Sequence, residues 1–261
     1  MPGSDGLQKD ADLLYDAVHE AGALAMTLLR QNVRRWSKSD GSHVTEADLQ
    51  IDALLAGRLQ AARPGYGWLS EETPDDPSRL SCARLWIVDP IDGTRDFIHG
   101  GSDWCIAAAL AEAGKPVIAA VYRPVRNEFF SAVAGRGAFL DGLPLGVTDA
   151  AELAGARIMG NRKSLEPLAG RGITAEISGA LPLQLRLAFV AAGRLDGAVS
   201  TGPRNDWDLA AGDLLVQEAG GRVSDTAGGA YVYNRAETWQ QGLVAAGPRR
   251  HACLLGALGR T

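Results

Sequence analysis

Cysteine is scarce in this chain: Cys82, Cys105 and Cys253 are the three among 261 residues. They are odd in number, far apart and without a C-x-x-C pair. That spacing argues against a disulfide framework or a cysteine-based zinc site and implies reduced thiols in a cytoplasmic protein. Histidine is also sparse, and His19, His43, His99 and His251 show no metal-ligand spacing. Basic residues are not in excess: 26 Lys and Arg stand against 31 Asp and Glu, for a formal net charge of −5. A nucleic acid polymer is therefore not the expected partner, since such binders carry a basic face. A small anionic substrate stays open, because a few local cations or metals suffice to hold one. No apolar run approaches the length that spans a bilayer, so no membrane partner is expected. The first residues carry Asp5, Asp10 and Asp12, with no basic region followed by an apolar run, so no secretory signal is expected. Internal repeats and low-complexity segments are missing too.

What is present fits an ordered globular chain, with 46% hydrophobic and 22% charged residues. The length allows one large domain or two closely packed halves around a sizeable core. Leu13, Leu14, Ala17, Val18, Ala21, Leu24, Ala25 and Leu28 recur at helical spacing and predict an amphipathic helix over 10–33. A polar segment, Arg34 to Ser42, follows and ends in the turn signal Asp40-Gly41; Arg34-Arg35 read as solvated charges. Thr45 followed by Asp48 predicts an N-cap, and Ile51, Leu54, Leu55 and Leu59 form the buried stripe of a helix that stops before Pro64-Gly65. Trp68 to Ser70 reads as a short strand leading into Glu71-Glu72, and Thr73 to Cys82 as a loop. Leu85 to Val88 is a short continuous apolar run, which predicts a buried strand delivering Asp89 at its end. Residues 105–110, 117–122 and 128–133 read as antiparallel strands joined by short turns, with another turn at Gly135-Arg136-Gly137. Beyond about residue 145 strands and helices alternate: strands at 157–160, 195–200, 222–224 and 243–245, helices at 183–192, 207–219 and 248–258. The pattern predicts an α+β protein of two halves, 1–144 and 145–261. The tryptophans, including Trp86 and Trp207, read as core anchors rather than stacking platforms.

The chemistry concentrates in Asp89-Pro90-Ile91-Asp92-Gly93-Thr94. A strand end, a proline-fixed turn and a glycine can aim both carboxylates and the Ile91 carbonyl at one point. Oxygen-only donors favour a hard cation such as Mg²⁺. Without one, gathering carboxylates costs repulsion and desolvation, or drives their pKa values up. Gly93-Thr94 can also open a short helix whose amides point at a phosphate. An EF-hand, which needs D-x-D/N-x-D/N-G and a Glu six residues after the Gly, is excluded because the spacing fails. The D-x-D of phosphatases that form an aspartyl-phosphate is missing too. An Asp-rich surface turn stays open for this string alone, although a buried strand feeding it weighs the other way. Glu71-Glu72 alone reads as a solvated pair, Asp48 as a capping charge and Asp208 as a first-turn acid.

Four elements in order carry a resemblance: Ser42-His43-Val44-Thr45-Glu46-Ala47-Asp48, Glu71-Glu72, Trp86 to Thr94, and Trp207-Asp208-Leu209-Ala210-Ala211-Gly212. The chain resembles the inositol monophosphatase superfamily of lithium-sensitive, Mg²⁺-dependent phosphatases. That resemblance implies a layered αβαβα sandwich of the sugar-phosphatase type, a small phosphorylated metabolite as substrate, two or three Mg²⁺ ions and a homodimer. It implies Glu71, Asp89 and the Ile91 carbonyl as ligands of a first metal, and Asp89, Asp92 and Asp208 as ligands of a second. Asp48, Thr94 and Glu71 become the catalytic set, with Asp48 and Thr94 orienting and deprotonating the attacking water, while Gly93 and Thr94 hold the phosphate. Lys38 matches an upstream lysine of lithium-sensitive members.

Within the superfamily, Arg95-Asp96 after D-G-T resembles the 3'(2'),5'-bisphosphate nucleotidase branch, which converts adenosine 3',5'-bisphosphate to AMP in sulfur metabolism. The short stretch between Gly160 and Trp207 agrees with that branch. Ala192 to Gly197 and Glu218 to Gly221 resemble the inositol monophosphatase side instead. A second phosphate needs a cationic pocket, for which Arg95, Arg162, Lys163, Arg186 and Arg204 are candidates. Asp96 and Asn205 join the expected substrate contacts, with Asp206 beside them. Inositol-1-phosphate is the alternative substrate, and a regulatory or protein-binding member without catalysis is the alternative of another class.

Overall fold

A computed structural model describes residues 3–31, 33–37, 43–177 and 181–259. The chain runs through α1 (Gly3–Leu29), β1 (Arg35–Ser37), β2 (His43–Thr45), α2 (Glu46–Ala62), β3 (Gly67–Ser70), β4 (Arg84–Asp92), α3 (Thr94–Ile98), β5 (Cys105–Glu112), β6 (Lys115–Arg123), β7 (Glu128–Val133), β8 (Ala138–Leu140) and β9 (Leu143–Pro144). It continues through β10 (Arg157–Gly160), α4 (Arg162–Leu165), β11 (Thr174–Ile177), α5 (Leu183–Ala191), β12 (Gly197–Ser200), β13 (Arg204–Asn205), α6 (Asp206–Glu218), β14 (Arg222–Ser224), β15 (Trp239–Gln240), β16 (Leu243–Ala246) and α7 (Pro248–Leu258).

Strand polarity patterns account for the layering. On β5, Ile106, Ala108 and Leu110 point to one face and join Trp86 and Val88 of β4 in a core with the apolar stripes of α1 and α2. The alternate residues Cys105, Ala107, Ala109 and Ala111 point the other way, with Leu85 and Ile87, and pack under α5 and α6. A sheet covered on both faces has no wet side, so its central strands read as continuous apolar runs. This sheet has seven strands in the order β3-β4-β5-β6-β7-β8-β9, antiparallel except for the β3–β4 pair. A second sheet of five strands, β11-β10-β12-β16-β14, packs on the other side of α5 and backs onto α7. The order helix, sheet, helix, sheet, helix is a layered αβαβα architecture of the α+β class. The middle helices approach closely: a Cβ on Gly212 of α6 would stand 2.5 Å from the Leu187 side chain of α5.

Several boundaries differ from the sequence reading. α1 begins at Gly3 and ends at Leu29, not over 10–33, because Arg30 and Gln31 bond back in a closing turn. The segment read as merely polar after α1 contains β1, which pairs with β2 in the register Trp36↔Val44. Three-residue strands of mixed polarity leave no alternation to detect. β12 starts at Gly197 rather than Leu195, and the loop 73–82 holds a turn of 3₁₀ helix at Pro77–Ser81. Trp86 and Trp104 are fully buried, but Trp36 and Trp239 are exposed, since both sit on two-stranded ladders outside the main sheets. Lys38 and the Asp40-Gly41 turn lie outside the described residues. Among the described residues, no helix is long and apolar enough to cross a membrane.

Candidate active site

Asp89 and Asp92 stand three apart on β4, and a regular strand would send their side chains to opposite faces. Their partners on β5 are Ala107 and Cys105, only two apart. One extra residue is therefore accommodated in β4, a bulge that turns both carboxylates to the same side. Pro90 sits inside the irregularity, where its missing N–H costs the ladder least. The chain then leaves through Gly93 at φ +101°, a conformation that favours glycine. A Cβ there would also meet the Asp103 carbonyl oxygen at 2.9 Å. α3 starts immediately afterwards at Thr94.

Three other elements bring acids to the same place. β3 runs parallel to β4 with Ser70 opposite Val88, and the Glu71 amide donates to the Val88 carbonyl at 3.2 Å, so Glu71 leaves beside Asp89. Asp48 closes the capping box of α2: its Oδ2 accepts from the Thr45 amide at 2.7 Å and the Thr45 hydroxyl at 2.6 Å. Its other oxygen, Oδ1, lies 3.1 Å from Thr94 Oγ1, which is also 3.0 Å from the Ile91 carbonyl oxygen. Asp208 holds the first turn of α6 by accepting from the Asn205 amide at 2.8 Å. Asp92 Oδ2 accepts from the Gln184 amide in the first turn of α5 at 2.7 Å. Carboxylates at helix N-termini are favoured by the helix dipole, which offsets part of the cost of gathering them.

The remaining cost shows in their ionisation. Burial, then the charges of Glu71, Asp92, Asp208 and Asp48, pushes Asp89 well above the usual carboxylate range. Burial raises Asp92 to about 7 and Asp208 to about 6, with neighbouring carboxylates adding to both. Asp48 is raised to about 6 by burial alone, against its hydrogen bonds to Thr45 and Thr94. Asp89 Oδ1 is buried without a hydrogen-bond partner. A buried, unpartnered carboxylate oxygen beside like charges fits a bound cation, and an all-oxygen donor set fits a hard one. Among the described residues no three His, Cys, Asp or Glu side chains close into a ready-made coordination shell, so the donor set is convergent but open.

The acids line a cavity of about 550 Å³, together with Ile91, Gly93, Thr94, Arg95, Asp96 and Arg186. Of the residues singled out in the sequence, Glu71, Asp89, Ile91, Asp92, Gly93, Thr94, Arg95, Asp96 and Asp208 meet there, and Asp48 touches Thr94 at its edge. Four expected substrate contacts do not line it, among them Lys163, an exposed residue of α4. Arg162 is an exposed residue opening α4. Arg204 is tied to Ser200 Oγ at 2.8 Å, and Asn205 accepts from Thr238 Oγ1 at 2.9 Å while its amide anchors Asp208. These residues build the entry to α6 rather than the cavity wall. Asp96 also serves the backbone, accepting from the Asp103 amide at 2.6 Å.

Three contributors escaped the sequence reading. Gln184 is fully buried and joins three elements: its amide bonds Asp92, its Nε2 donates to the Trp207 carbonyl at 2.7 Å, and its Oε1 accepts from the Gly212 amide at 2.8 Å. A lone glutamine inside an apolar helix was the available signal. His43 and His99 line the cavity as well, though their spacing suggested nothing.

The sequence matches the inositol monophosphatase family over residues 7–260. It is 38% identical over 213 residues to an inositol-1-monophosphatase of Mesorhizobium japonicum, covering 76% of this chain and 78% of that protein. It is 35% identical to the Nus factor SuhB of Pseudomonas aeruginosa, covering 85% and 87% of the two chains. Its fold superposes on the solved structure of an IMPase from Thermotoga maritima with a TM-score of 0.80 at 29% identity, covering 98% of this chain and 97% of the other.

Proposed function

Because this chain belongs to the inositol monophosphatase family, whose members are phosphoric monoester hydrolases generally dependent on Mg²⁺, we propose that its acidic cavity is the active site for hydrolysis of a small phosphorylated metabolite. The observation that carries this reading is the meeting of Glu71, Asp89, Asp92 and Asp208 in one cavity with the Asp48–Thr94 pair at its edge. Glu71, Asp89 and the Ile91 carbonyl are the donors for one ion, and Asp89, Asp92 and Asp208 for a second, with two or three ions in all. When bound, Mg²⁺ supplies Lewis acidity that acidifies water and relieves charge on the phosphoryl and leaving oxygens. The chain's own part is placement. The Gly93 and Thr94 backbone at the start of α3 receives the phosphate. Thr94 Oγ1 orients the attacking water, accepts its proton and passes its own to Asp48 Oδ1. Asp48, kept near pKa 6 by burial, can hold that proton close to neutral pH.

For the substrate, the cavity wall adds Arg95 and Arg186 beyond the acidic floor. Two guanidinium groups suit a second anionic group on the leaving alcohol, which favours a 3'(2'),5'-bisphosphate nucleotide such as adenosine 3',5'-bisphosphate. The second reading, inositol-1-phosphate, is favoured by the name carried by the Mesorhizobium japonicum relative. Phosphate release from adenosine 3',5'-bisphosphate, inositol-1-phosphate and fructose-1,6-bisphosphate, compared as kcat/KM with and without Mg²⁺, tests both levels. We expect release only with Mg²⁺ and the nucleotide to lead. A preference of about tenfold or more for inositol-1-phosphate, about 1.4 kcal/mol, reassigns the substrate. No release from any ester overturns hydrolysis and points to a regulatory protein instead, as the name of the Pseudomonas aeruginosa relative suggests for that protein.

A further inference from the structure

Asp206 is a buried carboxylate that the proposed chemistry does not use. It is fully buried, it opens α6 two residues before Asp208, and it does not line the acidic cavity, so it meets no substrate there. Its Oδ1 accepts from Gln240 Nε2 at 2.7 Å and its Oδ2 from the Asn234 amide at 3.2 Å. Both donors come from the segment between β14 and β16. The same segment holds the start of α6 through its backbone: the Asp206 amide donates to the Thr238 carbonyl at 3.0 Å, and Asn205 pairs with Trp239 in the β13–β15 ladder.

Behind Asn234 stands Arg79, which is also buried. Its guanidinium meets the two oxygens of Asp75 at 2.5 and 2.8 Å, and its Nη1 donates to Asn234 Oδ1 at 2.8 Å and to the Arg235 carbonyl at 3.1 Å. Asp75 and Arg79 belong to the connection between β3 and β4, which begins with Glu71-Glu72. The network therefore runs from the connection that carries Glu71 to the helix that carries Asp208. Taking a guanidinium and a carboxylate out of water is costly, and apolar residues of similar volume often make a more stable core. Stability is a weak reason for such a network; a fixed direction is a stronger one. Asp208 commits its Oδ2 to the Asn205 amide at 2.8 Å, so where its other oxygen points follows from how Asn205 and Asp206 are held.

We infer that Asp206 is a positioning residue for the second of the proposed ions. Gln240 and Asn234 lock its carboxylate, Arg79 locks Asn234, and the first turn of α6 is thereby held with Asp208 turned into the cavity. The inference rests on the metal-dependent hydrolase reading and deepens it, because it names the residues that set the affinity for one ion.

Mn²⁺ takes the same oxygen donors as Mg²⁺, and the paramagnetic resonance signal of the free ion counts bound metal without any turnover. Metal-free protein is titrated with Mn²⁺ alone. Wild type should take up at least two ions, and Asp208→Asn identifies the one that depends on Asp208. Asp206→Asn keeps the shape but puts an N–H where one of the two donors is accepted. It should weaken that same ion by about tenfold or more, the range for a partner that orients a metal ligand, and leave the other unchanged. Gln240→Leu, which leaves Asp206 in place, should weaken the same ion by less, and it decides alone if Asp206→Asn does not fold. Asp10→Asn is the control for general loosening: Asp10 is a buried acid of α1 bonded to Arg63, Tyr66 and Arg84, outside this network, and both ions should bind as in wild type. In phosphate release, Asp206→Asn should need more Mg²⁺ for half the maximal rate yet recover kcat at saturating Mg²⁺, which Asp208→Asn should not. Wild-type affinities in Asp206→Asn and Gln240→Leu overturn the inference and leave the hydrolase reading standing, as does an equal weakening of every ion or the same weakening in Asp10→Asn. Asp206-dependent uptake in a protein that hydrolyses no ester keeps the inference and sinks the hydrolase reading, and a wild type that takes up no ion overturns both.

Discussion

At the scale of single residues, Asp89 is where the conflicting demands are sharpest. It is 2% exposed, one of its oxygens has no hydrogen-bond partner among the described residues, and four other acids share its cavity. Such a group is tolerated for what it binds, since apolar packing would be more stable there. Asp89→Asn removes a charge from this crowd while keeping the shape. The variant should therefore fold with unchanged circular dichroism and equal or higher Tm, yet lose Mg²⁺-dependent phosphate release; near-normal turnover would sink the ligand assignment. Asp52 has a quieter part. One turn after Asp48 on α2, it accepts from Ser70 Oγ and Thr73 Oγ1, both at 2.5 Å, and these two hydroxyls bracket Glu71-Glu72. Asp52→Ala leaves both hydroxyls without that acceptor, a loss of about 2–3 kcal/mol in chemical denaturation. It should also raise the Mg²⁺ needed for half-maximal thermal stabilisation, because Glu71 is no longer held. An unchanged Mg²⁺ response would separate Asp52 from the site.

At the scale of elements, the site is made of ends and irregularities. The bulge in β4 puts Asp89 and Asp92 on one side, and the first turns of α2, α5 and α6 each contribute a carboxylate or a bond to one. Gly93 joins the strand to α3 and has no room for a side chain. Gly93→Ala imposes a strained φ and a clash with the Asp103 carbonyl, so we expect a loss of about 1–3 kcal/mol in stability. The loss of kcat should be larger than the stability change explains, since the turn carrying Thr94 must move. Thermal melts read beside steady-state kinetics check both parts. Thr45 is a plainer case: Thr45→Val removes the acceptor for the Ala47 amide and the hydroxyl bond to Asp48, at a cost of about 1 kcal/mol for the cap.

At the scale of the whole molecule, the middle helical layer ties the two sheets together, and it contains a titrating group away from the proposed metal ligands. Asp213 of α6 is buried and accepts from Tyr233 Oη at 2.8 Å and Gln217 Nε2 at 2.7 Å. Burial raises its pKa from the ordinary 3.8 to about 6. Between those values the unfolded chain has released this proton while the folded chain keeps it. Stability from this group is therefore lost as pH rises through that window, and the penalty is complete above about pH 6, with an upper bound of about 3 kcal/mol. Asp213→Asn, neutral at every pH, should gain stability over wild type at pH 7.5 but not at pH 4; equal differences in Tm at the two pH values would contradict this. The sequence alone determined the types of the longer elements, because a sheet buried on both faces writes continuous apolar runs and a capped helix writes Thr45 before Asp48; it missed short ones such as β1 and β13. It also marked Asp89 to Thr94 as the candidate centre, because a buried strand feeds that run of carboxylates and glycine, although for the string alone a surface turn stayed open. It could not decide that Glu71 and Asp208, each an ordinary capping or surface acid in its own segment, share one cavity with Asp89 while Asp48 meets Thr94 at its edge, because that depends on the pairing of β3 with β4 and on α6 crossing the sheet. Nor could it show that Arg204 and Asn205 brace a helix while Trp36 stands open beside the site. Those assignments belong to the tertiary structure, since burial and direction of a side chain are set by what packs around it and not by its neighbours in sequence.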